Sequence, residues 1–145
     1  MPEAVLDSNV VFGYRSKRDQ WHKPALKIVE AMDQGTLPRG HVTTIVLPEI
    51  LNPIQKLAGH DRAVESLDFL TESGGFQIQY VTTEDISRGE AIFRRTPGVE
   101  ITDAITVSYM RRVGLEYIYS FDDDFDRFDG IVRLASATNP FDPGE

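Results

Sequence analysis

Four apolar stretches of this chain carry or end in a carboxylate. Asp7 follows Ala4-Val5-Leu6, and Glu49 sits inside Val46-Leu47-Pro48-Glu49-Ile50-Leu51. Asp103 lies at the start of a helical pattern. Asp122 follows Tyr117-Ile118-Tyr119-Ser120-Phe121 and opens a run continued by Asp123, Asp124, Asp126 and Asp129. An acid among apolar neighbours stays ionised only if it is paired or bound to a metal. Carboxylates crowded onto one strand end repel each other unless a cation offsets them. Hard oxygen ligands without His or Cys suit Mg²⁺ or Mn²⁺. Each acid also has an ordinary explanation. Asp7 suits a helix cap, Glu49 an exposed helical position, Asp103 the favoured charge at a helix start, and Asp122 a solvated loop. Their joint placement favours a shared site.

The elements that would place them alternate in type. Short strands are expected at Ala4–Leu6, His41–Thr43, Phe76–Val81, Tyr117–Phe121 and Ile131–Leu134. Helices are expected at Lys23–Met32, Ile45–Leu57, Asp61–Leu70, Thr83–Arg95 and Ile101–Val113, read from apolar spacing and from the stops at Gly35, Gly74-Gly75, Pro97-Gly98 and Gly114. Thr44 is the expected cap of the second helix, and Pro53 should kink it. Val64, Tyr80 and Ile101 are among the residues assigned to buried faces. Strand–helix alternation predicts an α/β domain with a mostly parallel sheet, whose ligand site lies beyond the carboxyl ends of the strands. Residues 1–138 read as one domain and 139–145 as a frayed tail.

The net charge is −8, unevenly spread. Residues 1–115 hold 15 acids and 13 bases, a balance of −2, and residues 116–145 hold 8 acids and 2 bases, a balance of −6. With no cysteine, disulfides, iron–sulfur clusters, thiol nucleophiles and Cys-type zinc sites are excluded. No apolar run reaches the ~18 residues of a membrane span, so no membrane partner and a cytoplasmic location are expected. Asp122, Asp124 and Asp126 match the first ligands of an EF-hand, but Arg127 and Arg133 stand where it needs Gly and Glu. A haloacid-type phosphatase would want an acid where Asn9 stands. His22, His41 and His60 lack metal-ligand spacing, and there is no glycine-rich phosphate loop.

Leu6-Asp7-Ser8-Asn9-Val10, Thr43-Thr44-Ile45-Val46-Leu47-Pro48-Glu49-Ile50, Ile101-Thr102-Asp103-Ala104 and Ser120-Phe121-Asp122-Asp123-Asp124-Phe125-Asp126 occur in this order. In this the chain resembles PIN domains, most closely the stand-alone toxin nucleases of the VapC type. The resemblance implies a three-layer α/β/α sandwich and a metal-dependent endoribonuclease, the toxin of a type II toxin–antitoxin pair. It implies Asp7, Glu49, Asp103 and Asp122 as the acidic quartet, with Asp7, Asp103, Asp122 and Asp124 around Mg²⁺ or Mn²⁺. Asn9, Thr44 and Ser120 would orient the carboxylates. The implied partners are RNA, a cognate antitoxin and a second copy in a homodimer. A PIN module acting in RNA processing, or binding RNA or protein without catalysis, is the alternative.

RNA must also find positive charge. Arg15, Lys17, Arg18 and Lys23 form one basic stretch, and Arg94-Arg95 and Arg111-Arg112 form two more. The usual reading of such clusters is solvated helix faces. Arg15, Lys17 and Arg18 are the candidate phosphate contacts because they follow Asp7 closely. Trp21, beside them, has a choice between stacking on a base and packing in the core.

Overall fold

In the computed structural model, which describes residues 2–142, β1 (Glu3–Leu6) is the central strand of a five-stranded sheet. Its sequence fits that place: Ala4, Val5 and Leu6 are wholly buried, as a strand covered on both faces requires. All pairings are parallel, in the order β3-β2-β1-β4-β5, with β2 at Arg39–Thr43, β3 at Phe76–Gln79, β4 at Tyr117–Tyr119 and β5 at Val132–Leu134. Six helices connect them: α1 (Ser8–Arg15), α2 (His22–Asp33), α3 (Leu47–Ala58), α4 (His60–Glu72), α5 (Thr83–Arg95) and α6 (Ile101–Val113).

The alternation of side chains along β1 divides the core in two. Ala4 and Leu6 face a cluster built with Val10, Ile28, Met32, Ile50 and Leu70, which α1 to α4 supply. Val5 faces the other cluster, with Ile92, Ala104, Val107, Met110 and Phe125, from α5, α6 and the turn beyond β4. The result is the expected α/β/α sandwich. The chain builds β1, β2 and β3 outward in one direction, then crosses back to lay β4 on the opposite side of β1. That reversal makes a crevice beyond the carboxyl ends of β1 and β4.

Local details depart from expectation for identifiable reasons. Thr44 does not cap α3. Its N–H donates to the Gln79 carbonyl at 2.8 Å and extends the β2–β3 ladder. Its hydroxyl accepts from Val81 N–H at 3.1 Å, so α3 starts later, at Leu47. Pro48 falls in the first turn, where a missing N–H is harmless. Pro53 sits inside the helix, which continues to Ala58. Val64, Tyr80 and Ile101 are exposed; Tyr80 lies just past the end of the edge strand β3. Asn139 donates to the Thr36 carbonyl and Phe141 packs edge-on against Tyr117. The rest of the expected tail, residues 143–145, lies outside the described residues.

The placement of α6 depends on a glycine. A Cβ at Gly89 would stand 2.8 Å from the Ile105 Cα, so α5 and α6 approach at a distance only glycine allows. Gly89→Ala should therefore destabilise the fold by about 2 kcal/mol despite the better helix propensity of alanine. Gly74→Ala, where nothing lies within 4 Å, should change stability by less than about 0.5 kcal/mol. Urea unfolding of both variants measures the difference.

Candidate metal centre and active site

The backbone brings the first and last acidic segments together. Leu6 pairs with Tyr119 in the sheet, and Asp7 N–H donates to the Tyr119 carbonyl at 3.0 Å. Asp7 is thus fixed beside Ser120 at the adjacent strand ends. It also caps α1, accepting from Ser8 N–H at 2.8 Å. Its other oxygen accepts from the Ser120 hydroxyl at 2.6 Å. Ser120 Oγ in turn accepts from Asp122 N–H at 3.0 Å and from the Asn9 side chain at 3.4 Å. Phe121 N–H donates to Asn9 Oδ1 at 3.3 Å. Serine 120 is therefore the hub that ties the loop after β4 to the first turn of α1.

That loop turns at once. Asp122 accepts from Asp124 N–H at 2.9 Å and opens a short 3₁₀ turn, Asp123–Arg127. Asp103 arrives from the first turn of α6 and is buried. Carboxylate oxygens of Asp103, Asp122 and Asp124 lie within 4.8 Å of one another. Asp126 is engaged elsewhere, in a two-pronged pair with Arg133 at 3.1 and 3.0 Å, and Asp123 is exposed. The sequence could not sort these four aspartates. The 3₁₀ turn does so, by turning two of them to the crevice and one to Arg133.

Burial raises the Asp7 pKa from 3.8 to about 6, outweighing its two hydrogen bonds, with smaller contributions from Glu49 and Asp122. Asp103 is pushed well above the carboxylate range, first by burial, then by the charge of Asp7, and then by a side-chain hydrogen bond to Asp122 and the charge of Asp122. Its Oδ2 is buried without a hydrogen-bond partner. Three converging carboxylates, one of them with an unpartnered buried oxygen, are the donor set of a hard divalent cation. The residues present fit such an ion.

Not every expected residue joins this group. Asp7 lies near enough to be felt electrostatically, but outside the three-carboxylate cluster. Glu49, half-buried in the first turn of α3, lines a shallow pocket with Ser8, Asn9 and Phe12 at the mouth. The Thr44 hydroxyl accepts from Val81 N–H and joins none of these carboxylates. Arg15 pairs with Glu65 at 3.4 Å, while Lys17 and Arg18 are exposed. Trp21 is neither a core residue nor unaccompanied: it stacks on Phe121 at 4.9 Å, beside Asp122. Arg133, which stands out in the sequence only as a misfit to an EF-hand, also donates to the Ser120 carbonyl at 3.3 Å; an isolated arginine on an edge strand carries no motif that announces this.

The PIN-domain family profile matches residues 4–131. The chain belongs to the PIN-domain family. The fold is also that of solved toxin structures. A Mycobacterium tuberculosis VapC20 structure, described as a sarcin-ricin loop cleaving toxin, aligns with a TM-score of 0.75 and 21% identity, over 94% of this chain and 99% of that one. A toxin–antitoxin complex from Klebsiella pneumoniae aligns with 0.65 and 22%, over 89% and 95%. A DNA-bound VapBC2 from Rickettsia felis aligns with 0.67 and 13%, over 91% and 97%. A search of curated protein sequences finds no significant match. Among the described residues of this PIN domain, no helix is long and apolar enough to cross a membrane.

The crowding has a thermodynamic signature. Asp7 and Asp103 hold protons more tightly folded than unfolded, so these groups make metal-free stability fall as pH rises. The Asp7 contribution is lost between pH 3.8 and about 6, and that of Asp103 extends the loss to higher pH. Asp103→Asn should raise the thermal midpoint of chelator-treated protein at pH 8 by about 3 °C or more, with the difference closing towards pH 4. Thermal denaturation in EDTA at the two pH values measures this; a lower midpoint for the variant at pH 8 contradicts the account.

Proposed function

We propose that this PIN domain is a Mg²⁺- or Mn²⁺-dependent endoribonuclease and the toxin of a type II toxin–antitoxin pair. The observation that supports this most is the convergence of Asp103, Asp122 and Asp124, with the orphaned Asp103 oxygen, beside Asp7 in the sheet's crevice. A divalent ion held there supplies Lewis-acid stabilisation of a phosphodiester and a bound water of lowered pKa.

The chain's own groups divide the remaining work. Asp103, Asp122 and Asp124 hold the ion, and Asp7 completes their negative field. Ser120 and Asn9 fix the rotamer of Asp7 and the path of the Asp122 loop. Glu49, outside the cluster at the pocket rim, takes the proton of the attacking water. Lys17 and Arg18 contact flanking phosphates. The groove between α1 and α3, about 460 Å³ and lined by Phe12, Ile54 and the exposed Leu57 together with Arg15 and Arg18, receives a segment of the antitoxin. The protein acts in the cytoplasm as a homodimer. The intact carboxylate set is the reason to prefer catalysis over a binding-only module.

Asp7→Asn and Asp103→Asn should each lower RNA cleavage at least about 100-fold while leaving the circular dichroism spectrum unchanged. EDTA should abolish cleavage, and added Mg²⁺ or Mn²⁺ should restore it. Ser120→Ala should raise the metal concentration for half-maximal rate about tenfold, because it frees Asp7 and the Asp122 loop. Cleavage that survives EDTA, or equal rates in the Asp103 variant and wild type, would refute the proposal. RNA that is bound but left intact with both metals would point to the non-catalytic module.

A further inference from the structure

One arginine from each of the two basic pairs left over from the sequence meets the other in space. Arg88 and Arg95 of α5 and Arg111 of α6 line a pocket of about 230 Å³ with Ser108. Arg95 and Arg111 also line a second pocket, about 250 Å³, whose far wall holds Arg127 and Phe128. Shared walls make these one groove along the α5–α6 seam, away from the Asp7 crevice.

Its arginines are set as donors and not neutralised there. Arg111 donates to the Asp129 carbonyl at 3.3 Å and lies over Phe128, and Arg127 donates to the Pro97 carbonyl at 2.8 Å. Neither bond cancels charge. Arg95 has no partner among the described residues. Arg88 alone is paired, with Glu84 at 2.7 Å, and the Asp129 side chain stands at the rim. A second, independent observation points to a ligand. Ser108 is 4% exposed, and its hydroxyl has no hydrogen-bond partner although it lines the groove. Buried hydroxyls are seldom left unsatisfied. A neutral donor among guanidinium forks matches the oxygens of a phosphate group.

The groove is also connected to the acids. Helix α6 carries Asp103 at one end and Arg111 eight residues on, about 12 Å along the axis. The 3₁₀ turn carries Asp124 and ends at Arg127. Both elements run from carboxylate to guanidinium. At roughly 3.4 Å per stacked nucleotide, three to four nucleotides span the distance along α6.

We propose that the Arg95–Arg111–Arg127 groove, with Ser108, binds backbone phosphates of the RNA strand whose scissile bond lies at the carboxylate cluster. This rests on the nuclease reading for the strand's direction, but not for the groove's affinity.

The test is fluorescence anisotropy with a labelled single-stranded RNA in EDTA, repeated over a salt series. Arg95→Gln with Arg111→Gln should weaken binding about tenfold and reduce the salt slope by about two. Ser108→Ala should weaken it about threefold. Arg62→Gln, on exposed α4, should change nothing. Arg95→Gln alone, which removes no intramolecular bond, should still weaken binding if the double variant unfolds. Unchanged RNA affinity in Arg95→Gln overturns the proposal. So does a groove that inorganic phosphate occupies, by chemical-shift perturbation, while the variants bind RNA as wild type does. Wild type that binds RNA in EDTA but cleaves none with Mg²⁺ or Mn²⁺ removes the nuclease reading and leaves the groove. Wild type that cleaves RNA while the groove variants bind it normally removes only the groove.

Discussion

The fold must hold several carboxylates together in a place with little water, and the Ser120–Asp7 hydrogen bond is the contact that makes this possible. At 2.6 Å it fixes one oxygen of a buried acid whose other oxygen is spent on capping α1. The same serine oxygen accepts the Asp122 amide, so one hydroxyl sets both the first acid and the loop that carries two more. Burial alone would drive these groups to protonate, as the raised Asp7 and Asp103 values indicate. A structure that accepts this penalty at the end of its central strand spends stability on a site.

The carboxylates gather at one point because the order of strands reverses beside β1. Strands β1 and β4 are distant in sequence yet adjacent in space, and their ends deliver Asp7 and Ser120 side by side. Asp103 must come from elsewhere, and α6 brings it, held against the sheet by Val107 and Met110 and against α5 by the close approach at Gly89. On the opposite side of the helix pair, Asp85 closes a capping box on α5 and grips Arg112 at 2.6 and 3.0 Å. Packing, capping and ion pairing therefore all bear on where one carboxylate points.

Much of this arrangement could be read from the residues. The sheet and its helices followed from alternating periods, because buried parallel strands and amphipathic helices leave different spacings. Asp7 and Glu49 stood out for their apolar neighbours, Asp122 for following a buried strand, and Asp103 for opening a helix. What could not be read depends on hydrogen bonds between distant residues. Thr44 has the look of a helix cap until Gln79 claims its amide and Val81 its hydroxyl oxygen. Asp124 and Asp126 are indistinguishable in sequence, and only the 3₁₀ turn and Arg133 separate them. The stacking of Trp21 on Phe121 joins residues a hundred positions apart, which no periodicity announces.

Net charge is the property most altered by knowing the structure. A sum of −8 describes a protein that should repel a polyanion at long range. At ionic strengths where screening acts over about 8–10 Å, however, a phosphate responds to its neighbourhood and not to the sum. The acids concentrate at the crevice, where their crowding is itself the attraction for a cation. Four arginines gather along the α5–α6 seam, two of them bonded only to carbonyls. Both α6 and the 3₁₀ turn separate charge along their length, acid at the first end and base at the last. This is also the order that the helix dipole of α6 favours. Local helix electrostatics and the global charge pattern thus ask for the same residues at the same ends, which offsets part of the cost of burying Asp103.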